Sequence, residues 1–257
     1  MKTYLVTGGA GFIGSNFVIY MLNKYDDIKI INVDKLTYAG NLENLKSVEN
    51  DPRYSFVQAD ICDREAISKI FAENDVDYVV NFAAESHVDR SITNPEIFVK
   101  TNVEGTVNML QCAKVAWTIG DDQYKPGVKY LQVSTDEVYG SLGETGYFME
   151  TTPLDPHSPY SSSKASADFF VKAFGDTYKF PINITRCSNV PAEGFFGSSN
   201  CVNLMRKYWR VVSAFSILSK LFTLPILSSI FLTSSVCAPA KWKTHANDKK
   251  NNNLFIL

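Results

Sequence analysis

Short apolar runs alternate along the chain with longer amphipathic stretches. Runs rich in β-branched and aromatic residues predict strands at residues 3–7, 28–33, 54–58, 77–82, 128–133 and 182–187. Helical spacing of apolar positions between them predicts helices at residues 12–24, 63–74 and 95–117 and a further helix around Tyr160. Strands that alternate with helices throughout are typical of an α/β fold with a doubly wound parallel sheet, which is the fold class we predict.

A glycine-rich turn follows the first strand. Gly8, Gly11 and Gly14 fit a turn that lets backbone approach a pyrophosphate, at the start of a helix whose amides point at the phosphates. Asp34 ends the second strand, where a carboxylate accepts hydrogen bonds from an adenosine ribose. Such a carboxylate repels a 2′-phosphate, which favours NAD over NADP, although Lys35 beside it weakens this inference. The alternative interpretation is a purely structural turn.

A second group of polar residues follows the fifth strand. Thr135, Asp136 and Glu137 come where that strand ends, and ligands of open parallel sheets bind beyond the carboxyl ends of the strands. Tyr160 and Lys164 are one helical turn apart on the same face, and an adjacent cation lowers the pKa of a tyrosine. The set predicts a base, an acid and a second base around one pocket. The alternative is a polar strand exit beside an ordinary surface pair.

The overall composition is that of a globular protein. The 257 residues are 45% hydrophobic and 20% charged, and the formal net charge of -2 gives no indication of a nucleic-acid partner. Five cysteines are scattered without the spacing of metal ligands, so we expect no metal site. With no signal peptide after Met1, the sequence predicts a reduced, cytoplasmic protein.

The composition changes near Asn189. Residues 190–257 contain eight Lys or Arg and two Asp or Glu, whereas residues 1–189 contain 17 basic and 25 acidic residues. We therefore expect a dinucleotide-binding domain at 1–189 and an atypical tail at 190–257. An abrupt change of this kind is what translation out of frame produces. A membrane segment at 221–236 and a divergent domain are the alternatives.

Three stretches resemble a known family. The spaced glycines together with Tyr-x-x-x-Lys resemble the extended short-chain dehydrogenase/reductases. Within these, residues 34–41, 83–91 and 134–140 closely resemble the dTDP-glucose 4,6-dehydratases, and the likeness runs from residue 1 to about 189. The resemblance implies a Rossmann-type fold, NAD as cofactor, dTDP-glucose as substrate in nucleotide-sugar metabolism and dTDP-rhamnose biosynthesis, and a homodimer.

The same resemblance implies a reaction and a role for each residue. Tyr160, helped by Lys164, takes the proton of the sugar 4-hydroxyl while hydride passes to NAD. Glu137 then removes the C5 proton, Asp136 protonates the departing 6-hydroxyl, water leaves, and hydride returns to C6. Thr135 binds the 4-oxygen. The product is dTDP-4-keto-6-deoxyglucose, formed by an NAD-dependent hydro-lyase.

The resemblance also implies two binding sets. The residues expected at the cofactor are Gly8, Gly11, Phe12, Ile13, Gly14, Asp34, Lys35, Leu36, Thr37, Asp60, Ile61, Phe82, Ala83, Ala84, Ser86, Thr101, Tyr160 and Lys164. The residues expected at the substrate are Ser86, Thr135 and Asn189. Because the sequence after Asn189 departs from the family, we expect poor turnover by the chain as given, with a truncated, inactive NAD-binding fragment as the alternative function.

Overall fold

The computed structural model describes residues 1–121, 123–142 and 147–187. Within them, residues 1–141 and 153–187 belong to one compact unit, which contains the sheet and its helices. None of the described helices is both long enough and apolar enough to cross a bilayer. The predicted tail at 190–257, the segment 221–236 and the boundary at residue 189 lie outside the described residues.

Six parallel strands form the central sheet in the order β3-β2-β1-β4-β7-β8. The strands are β1 (Lys2–Thr7), β2 (Ile28–Asp34), β3 (Tyr54–Gln58), β4 (Tyr78–Asn81), β7 (Lys129–Thr135) and β8 (Ile182–Cys187), and a two-stranded antiparallel ribbon consists of β5 (Thr118–Gly120) and β6 (Gln123–Tyr124). This strand order is that of a doubly wound, Rossmann-type sheet, so the predicted fold class is confirmed. All six carboxyl ends meet at one edge of the sheet.

Helices connect the strands. They are α1 (Phe12–Lys24), α2 (Arg64–Glu73), α3 (Val88–Thr93), α4 (Pro95–Phe98), a π-helix (Val99–Gly105), α5 (Thr106–Trp117) and α6 (Pro159–Tyr178), with 3₁₀-helices at Leu42–Leu45 and Asp136–Tyr139. Their apolar faces pack on the sheet in a core that contains Leu5, Ile31, Val79 and Tyr130. Burial of this apolar surface is the main force that holds the layers together.

Two boundaries differ from the sequence prediction. The helix expected at 95–117 is divided by the π-helix, and Asn94 makes no side-chain capping bond at its start. A change from i+4 to i+5 hydrogen bonding leaves the apolar pattern nearly unaltered, so periodicity does not detect it. The strand expected to end at Val133 continues through Thr135, because β8 pairs with β7 as far as Cys187.

Candidate active site

The predicted cofactor and catalytic residues gather at the carboxyl edge of the sheet. The glycine turn follows β1, Asp34 ends β2, Asp60 lies beyond β3, Phe82 follows β4, and Thr135 ends β7. Tyr160 enters this edge from the first turn of α6. A capping box at Ser158 fixes that turn, since its hydroxyl accepts from Ser161 N at 3.0 Å. The fold therefore brings residues that are far apart in the sequence together at the carboxyl edge of the sheet.

The glycine turn leaves no room for side chains. Gly8 has a φ of +68°, and a Cβ there would lie 2.7 Å from Ala83 N. A Cβ on Gly14 would lie 2.2 Å from Gly8 O. Backbone amides at the start of α1 can consequently approach a ligand closely, and the first turn of α1 contains no acidic side chain to oppose an anion. This geometry fits the pyrophosphate of a dinucleotide.

Asp34 fixes the loops on either side of it. One carboxylate oxygen accepts from Ala10 N at 3.0 Å and the other from Leu36 N at 2.8 Å. The residue is 9% exposed, and Leu36 has a φ of +58°. A carboxylate offers about four acceptor positions, so two remain for hydroxyl groups of a ligand. Asp34 therefore has a structural role that the sequence did not predict and keeps the capacity to bind a ribose.

Lys35 forms an ion pair with Asp60, which lies beyond β3. Their charged atoms are 2.7 Å apart, and Cys62 N donates to the same carboxyl group at 2.9 Å. Burial opposes ionisation of Asp60, but Lys35 and the Cys62 amide outweigh it and hold its pKa below the usual value. The ion pair with Asp60 thus largely offsets the charge of Lys35. Lys35 therefore does not argue against NAD, rather than NADP, as the cofactor.

The segment after β4 lies beside the glycine turn. Thr7 Oγ1 accepts from Ala83 N at 3.2 Å, and the small side chain of Ala84 follows it. Phe82 packs against Phe17 of α1 with ring centroids 5.3 Å apart. Of the remaining predicted cofactor residues, Phe12 and Thr37 are exposed, and the following are partly or fully buried: Phe82, Ala83, Ala84, Ser86, Thr101, Ile13 and Ile61.

Asn102 connects the two parts of this edge, and the sequence analysis missed it. Its side chain accepts from Glu85 N at 2.8 Å and donates to Glu85 O at 2.9 Å, beside Ser86. It also donates to Ser163 Oγ at 2.8 Å, and Ser163 in turn donates to Tyr160 O at 2.7 Å. The available signal was one amide four residues after Phe98 in the predicted helix, and the structure buries this amide within the π-helix.

Thr135, Asp136 and Glu137 form the turn that follows β7. The Thr135 side chain is fully buried and accepts from Glu137 N at 3.2 Å, which starts the short 3₁₀-helix. Its hydroxyl also contacts Asp136 at 3.4 Å from Oδ1. Burial raises the pKa of Asp136, although hydrogen bonds to Thr135 and to backbone amides oppose the shift. Asp136 is therefore biased toward its protonated form, as a general acid requires.

Tyr160 and Lys164 lie one turn apart on α6, and both are buried. The Tyr160 hydroxyl has no hydrogen-bond partner within normal geometry among the described residues, while the Thr135 hydroxyl lies near enough to lower its pKa slightly. The Lys164 ammonium donates to Val133 O at 2.7 Å. The expectation that Lys164 brings the Tyr160 pKa down toward neutrality is wrong for this structure. Burial dominates and raises it, and the Glu137 charge adds to the rise.

One predicted substrate residue, Asn189, lies outside the described residues. The others, Ser86 and Thr135, lie at the same edge as Tyr160. No group of three or more His, Cys, Asp or Glu side chains in the described ranges is arranged to hold a metal ion.

The chain matches the family model described as GDP-mannose 4,6 dehydratase over residues 5–202. It belongs to this family. Its family relatives include the dTDP-glucose 4,6-dehydratase of Xanthomonas campestris, which is 51% identical over 189 residues, 74% of this chain and 53% of the relative. A probable dTDP-glucose 4,6-dehydratase of Sinorhizobium fredii is 55% identical over 185 residues, 72% of this chain and 52% of the relative. The chain thus spans about half the length of the curated relatives it matches.

Solved structures of family members agree. The dTDP-glucose 4,6-dehydratase of Bacillus anthracis, in complex with NAD, is 53% identical with a TM-score of 0.64, covering 74% of this chain and 55% of that one. The corresponding enzyme of Streptomyces venezuelae, solved with NAD bound, is 46% identical with a TM-score of 0.65, covering 72% and 55%. The resemblance to dTDP-glucose 4,6-dehydratases that the sequence predicted is confirmed.

Proposed function

We propose that this chain carries the cofactor site and the acid–base groups of an NAD-dependent dTDP-glucose 4,6-dehydratase. The observation that carries the proposal is the turn after β7, where the half-buried Asp136 lies between Thr135 and Glu137 and burial raises its pKa. Elimination of water needs one group that gives a proton and one that takes a proton. Two adjacent carboxyl groups perform both tasks when their surroundings separate their pKa values.

Tyr160 and Lys164 serve the oxygen at C4 of the sugar. Tyr160 takes the proton of the 4-hydroxyl, and its buried hydroxyl has no competing hydrogen bond among the described residues. The Lys164 ammonium, one turn away, favours the phenolate against the cost of burial. Thr135 donates a hydrogen bond to the 4-oxygen, since its hydroxyl lies near enough to the Tyr160 hydroxyl to influence its pKa.

Glu137 and Asp136 serve the elimination. Glu137 takes the proton from C5, which the neighbouring 4-ketone makes acidic. Asp136 gives its proton to the 6-hydroxyl, which leaves as water. Each of these proton transfers is typically worth about 10²–10⁴ in rate. Protonated Asp136 is required, so the activity falls as pH rises through the elevated pKa of that group.

NAD fits the nucleotide edge of the sheet. The turn at Gly8 and Gly14 would hold the pyrophosphate, and Asp34 would accept hydrogen bonds from the adenosine ribose. Lys35 and Asp60 neutralise each other beside that ribose, which leaves the Asp34 carboxylate to disfavour a 2′-phosphate. When bound, NAD supplies the acceptor that oxidises C4 and the donor that later reduces C6.

The proposal is tested with the 257-residue chain at a concentration stoichiometric with dTDP-glucose and with NAD present. Mass spectrometry is expected to detect a product that has lost one water. Tyr160→Phe is expected to reduce its formation by about 10²–10⁴. Ser162→Ala, on the exposed face of the same helical turn, is the matched control and is expected to leave it unchanged. Equal product from Tyr160→Phe and Ser162→Ala would contradict the assigned role.

A second candidate function is binding of NAD without turnover. The coverage favours it, because the matched residues make up about half of each curated relative. Calorimetric binding of NAD by a folded chain that yields no dehydrated sugar would support this second function against the first. Product formation would exclude it.

A further inference from the structure

A row of three buried polar side chains lies along one face of α6. Tyr160, Lys164 and Asp168 follow at intervals of four residues, which places them one above another on the helix. Their exposed fractions are 0%, 4% and 1%. The first two belong to the proposed reaction, whereas Asp168 has no role in it so far. A buried carboxylate is costly unless it is paired, so its presence needs an explanation.

Lys164 is a buried lysine, and burial disfavours the charged form of its side chain. An ammonium group has three N–H donors, and the described contact of this one is the bond to Val133 O. Burial lowers the pKa of Lys164, and the charge of Asp168 is the strongest influence that raises it again. Cys187 on β8 faces the same ammonium, but burial raises the pKa of its thiol to about 11, so this thiol is neutral at neutral pH. Asp168 is therefore the anion that supports the Lys164 charge.

Arg186 of β8 holds Asp168 in place. Its Nε donates to Asp168 Oδ2 at 2.9 Å, and its Nη1 donates to the Tyr139 hydroxyl at 2.8 Å. Burial raises the pKa of Asp168, while Arg186 and Lys164 lower it, and the Ser134 hydroxyl on β7 acts in the same direction as the two cations. Because an arginine does not lose its proton in proteins, this anchor stays charged at every pH of interest.

The geometry of this ion pair differs from that of a purely structural one. In a purely structural ion pair, an arginine commonly donates two parallel hydrogen bonds to the carboxylate. Here Arg186 contacts one oxygen of Asp168 and sends a second donor to Tyr139. The other oxygen, Oδ1, is buried and has no hydrogen-bond partner among the described residues, as is the case for Ser134 Oγ. Oδ2 of Asp168 is thus paired with Arg186, whereas Lys164, one turn away on the same buried face, makes no ion pair with Asp168 among the described contacts and is influenced by its charge from farther away.

We propose that Asp168, fixed by Arg186, is a positioning residue that keeps the buried Lys164 ammonium protonated. The relevance of this to catalysis rests on the proposed function, because that function needs a cation beside Tyr160. A charged Lys164, one helical turn from Tyr160, offsets part of the cost of burying the Tyr160 phenolate, and this phenolate is the base that takes the proton of the sugar 4-hydroxyl.

The test reads the charge of Lys164 directly. Lysine Cε resonances of the full-length chain, labelled with ¹³C, are followed by NMR as a function of pH, and Lys164→Met identifies the Lys164 signal. Asp168→Asn is expected to lower the pH midpoint of this signal by at least about one unit, a tenfold loss of proton affinity. Asp168→Glu, which keeps the charge, is expected to restore most of the midpoint.

The same helix offers a matched control. Lys172 and Asp176 form an exposed ion pair with the same four-residue spacing, and Asp176→Asn is expected to leave the Lys164 midpoint unchanged. The proposal would be overturned if the pH midpoint of the Lys164 signal were the same in the Asp168→Asn and Asp176→Asn variants.

A second measurement needs no substitution at Asp168. In the unmutated chain, the Lys164 signal is expected to show a small additional inflection where Asp168 takes up its proton. Burial raises the pKa of Asp168, so this event is expected at milder pH than for an exposed aspartate. Absence of the inflection in a folded chain would overturn the proposal. Because neither measurement uses turnover, a chain that makes no dehydrated sugar would contradict the proposed function alone.

Discussion

Two regions of the molecule solve different physical problems at the same edge of one sheet. The nucleotide half, residues 2–86, achieves its shape through backbone geometry, as at Gly8 and Gly14. Its charged groups at this edge are compensated, as when Asp34 accepts two backbone amides. In the acid–base half, residues 129–187, burial is the largest single influence on the pKa of eight groups: Lys129, Tyr130, Asp136, Tyr160, Lys164, Asp168, Arg186 and Cys187.

The difference arises from the task of each half. A dinucleotide carries its own charge, so the nucleotide half needs space and donors rather than altered side-chain chemistry. Proton transfer needs side chains whose pKa values differ from their values in water. In the acid–base half, burial produces this difference. Three of the five buried side-chain polar atoms without described hydrogen-bond partners lie there, namely Ser134 Oγ, Tyr160 Oη and Asp168 Oδ1, and the other two, Asn32 Oδ1 and Glu85 Oε2, lie in the nucleotide half.

The largest expected effect belongs to Glu137 in the acid–base half. Glu137→Gln removes the base, so incorporation of solvent deuterium at C5 of the sugar should fall by about 10²–10⁴. Oxidation at C4 remains possible, because Tyr160 is unchanged. NMR of dTDP-glucose incubated with NAD and the chain in deuterated water measures this, with the exposed Glu73→Gln as control. Undiminished exchange would show that another group is the base.

In the nucleotide half, the largest effect is expected from Gly14→Ala. The new Cβ would collide with Gly8 O, whose backbone has no cheap way to move, and overpacking of this kind costs about 1–3 kcal/mol. NAD binding by calorimetry and urea denaturation should both show the loss. Gly120→Ala is the matched control, since its Cβ would lie 3.5 Å from the end of the Gln123 side chain. Equal behaviour of the two variants would refute the account of the turn.

Asp34→Ala is expected to have an effect on NAD binding of similar size. It removes ribose hydrogen bonds worth about 1.5–3 kcal/mol together with the repulsion of a 2′-phosphate. Affinity for NAD should therefore fall by roughly tenfold or more, and discrimination against NADP should shrink. Competition calorimetry with the two cofactors measures both. Equal affinities of the unmutated chain for NAD and NADP would contradict the assignment.

The smallest expected effect is a gain in stability from Asp136→Asn. The folded-state pKa of Asp136 is raised above the ordinary value of 3.8. The protonated side chain therefore stabilises the fold fully below pH 3.8, and this stabilisation is lost as the pH rises through the folded-state pKa. The neutral amide avoids that loss. We expect a small gain in stability at neutral pH, and little or none in acid.

Urea denaturation at two pH values checks the last prediction. The variant Asp26→Asn, at a fully exposed surface position, serves as control and should show no such pH-dependent gain. A variant Asp136→Asn that is less stable than the unmutated chain at neutral pH would mean that ionised Asp136 is stabilised in the fold.

Sequence reasoning predicted the nucleotide half well because its signals are local. The glycine spacing and the apolar runs at residues 28–33 and 54–58 correspond directly to a turn and two strands. The position of Tyr160 and Lys164 on a helix face was equally readable. What the sequence could not give was the depth of burial, which decides the direction of the Tyr160 pKa. Lys164 itself does not reveal that it lies in the interior.

Long-range partners were also unpredictable. Asn102 joins Glu85 to Ser163 only because the π-helix turns it toward α6, and periodicity does not distinguish that helix from an α-helix. Asp168 and Arg186 come together because β8 lies next to β7 beneath α6. Their spacing in sequence carries no signal of this contact.

The most direct test of the account follows one deuterium atom placed at C4 of dTDP-glucose. The chain and NAD are incubated with this substrate in ordinary water, and the product is examined by mass spectrometry and NMR. If Tyr160, Asp136 and Glu137 act as proposed, the deuterium appears at C6 of a 4-keto-6-deoxy sugar. Recovery of unchanged substrate from a folded chain that binds NAD, or a dehydrated product without deuterium at C6, would contradict the account.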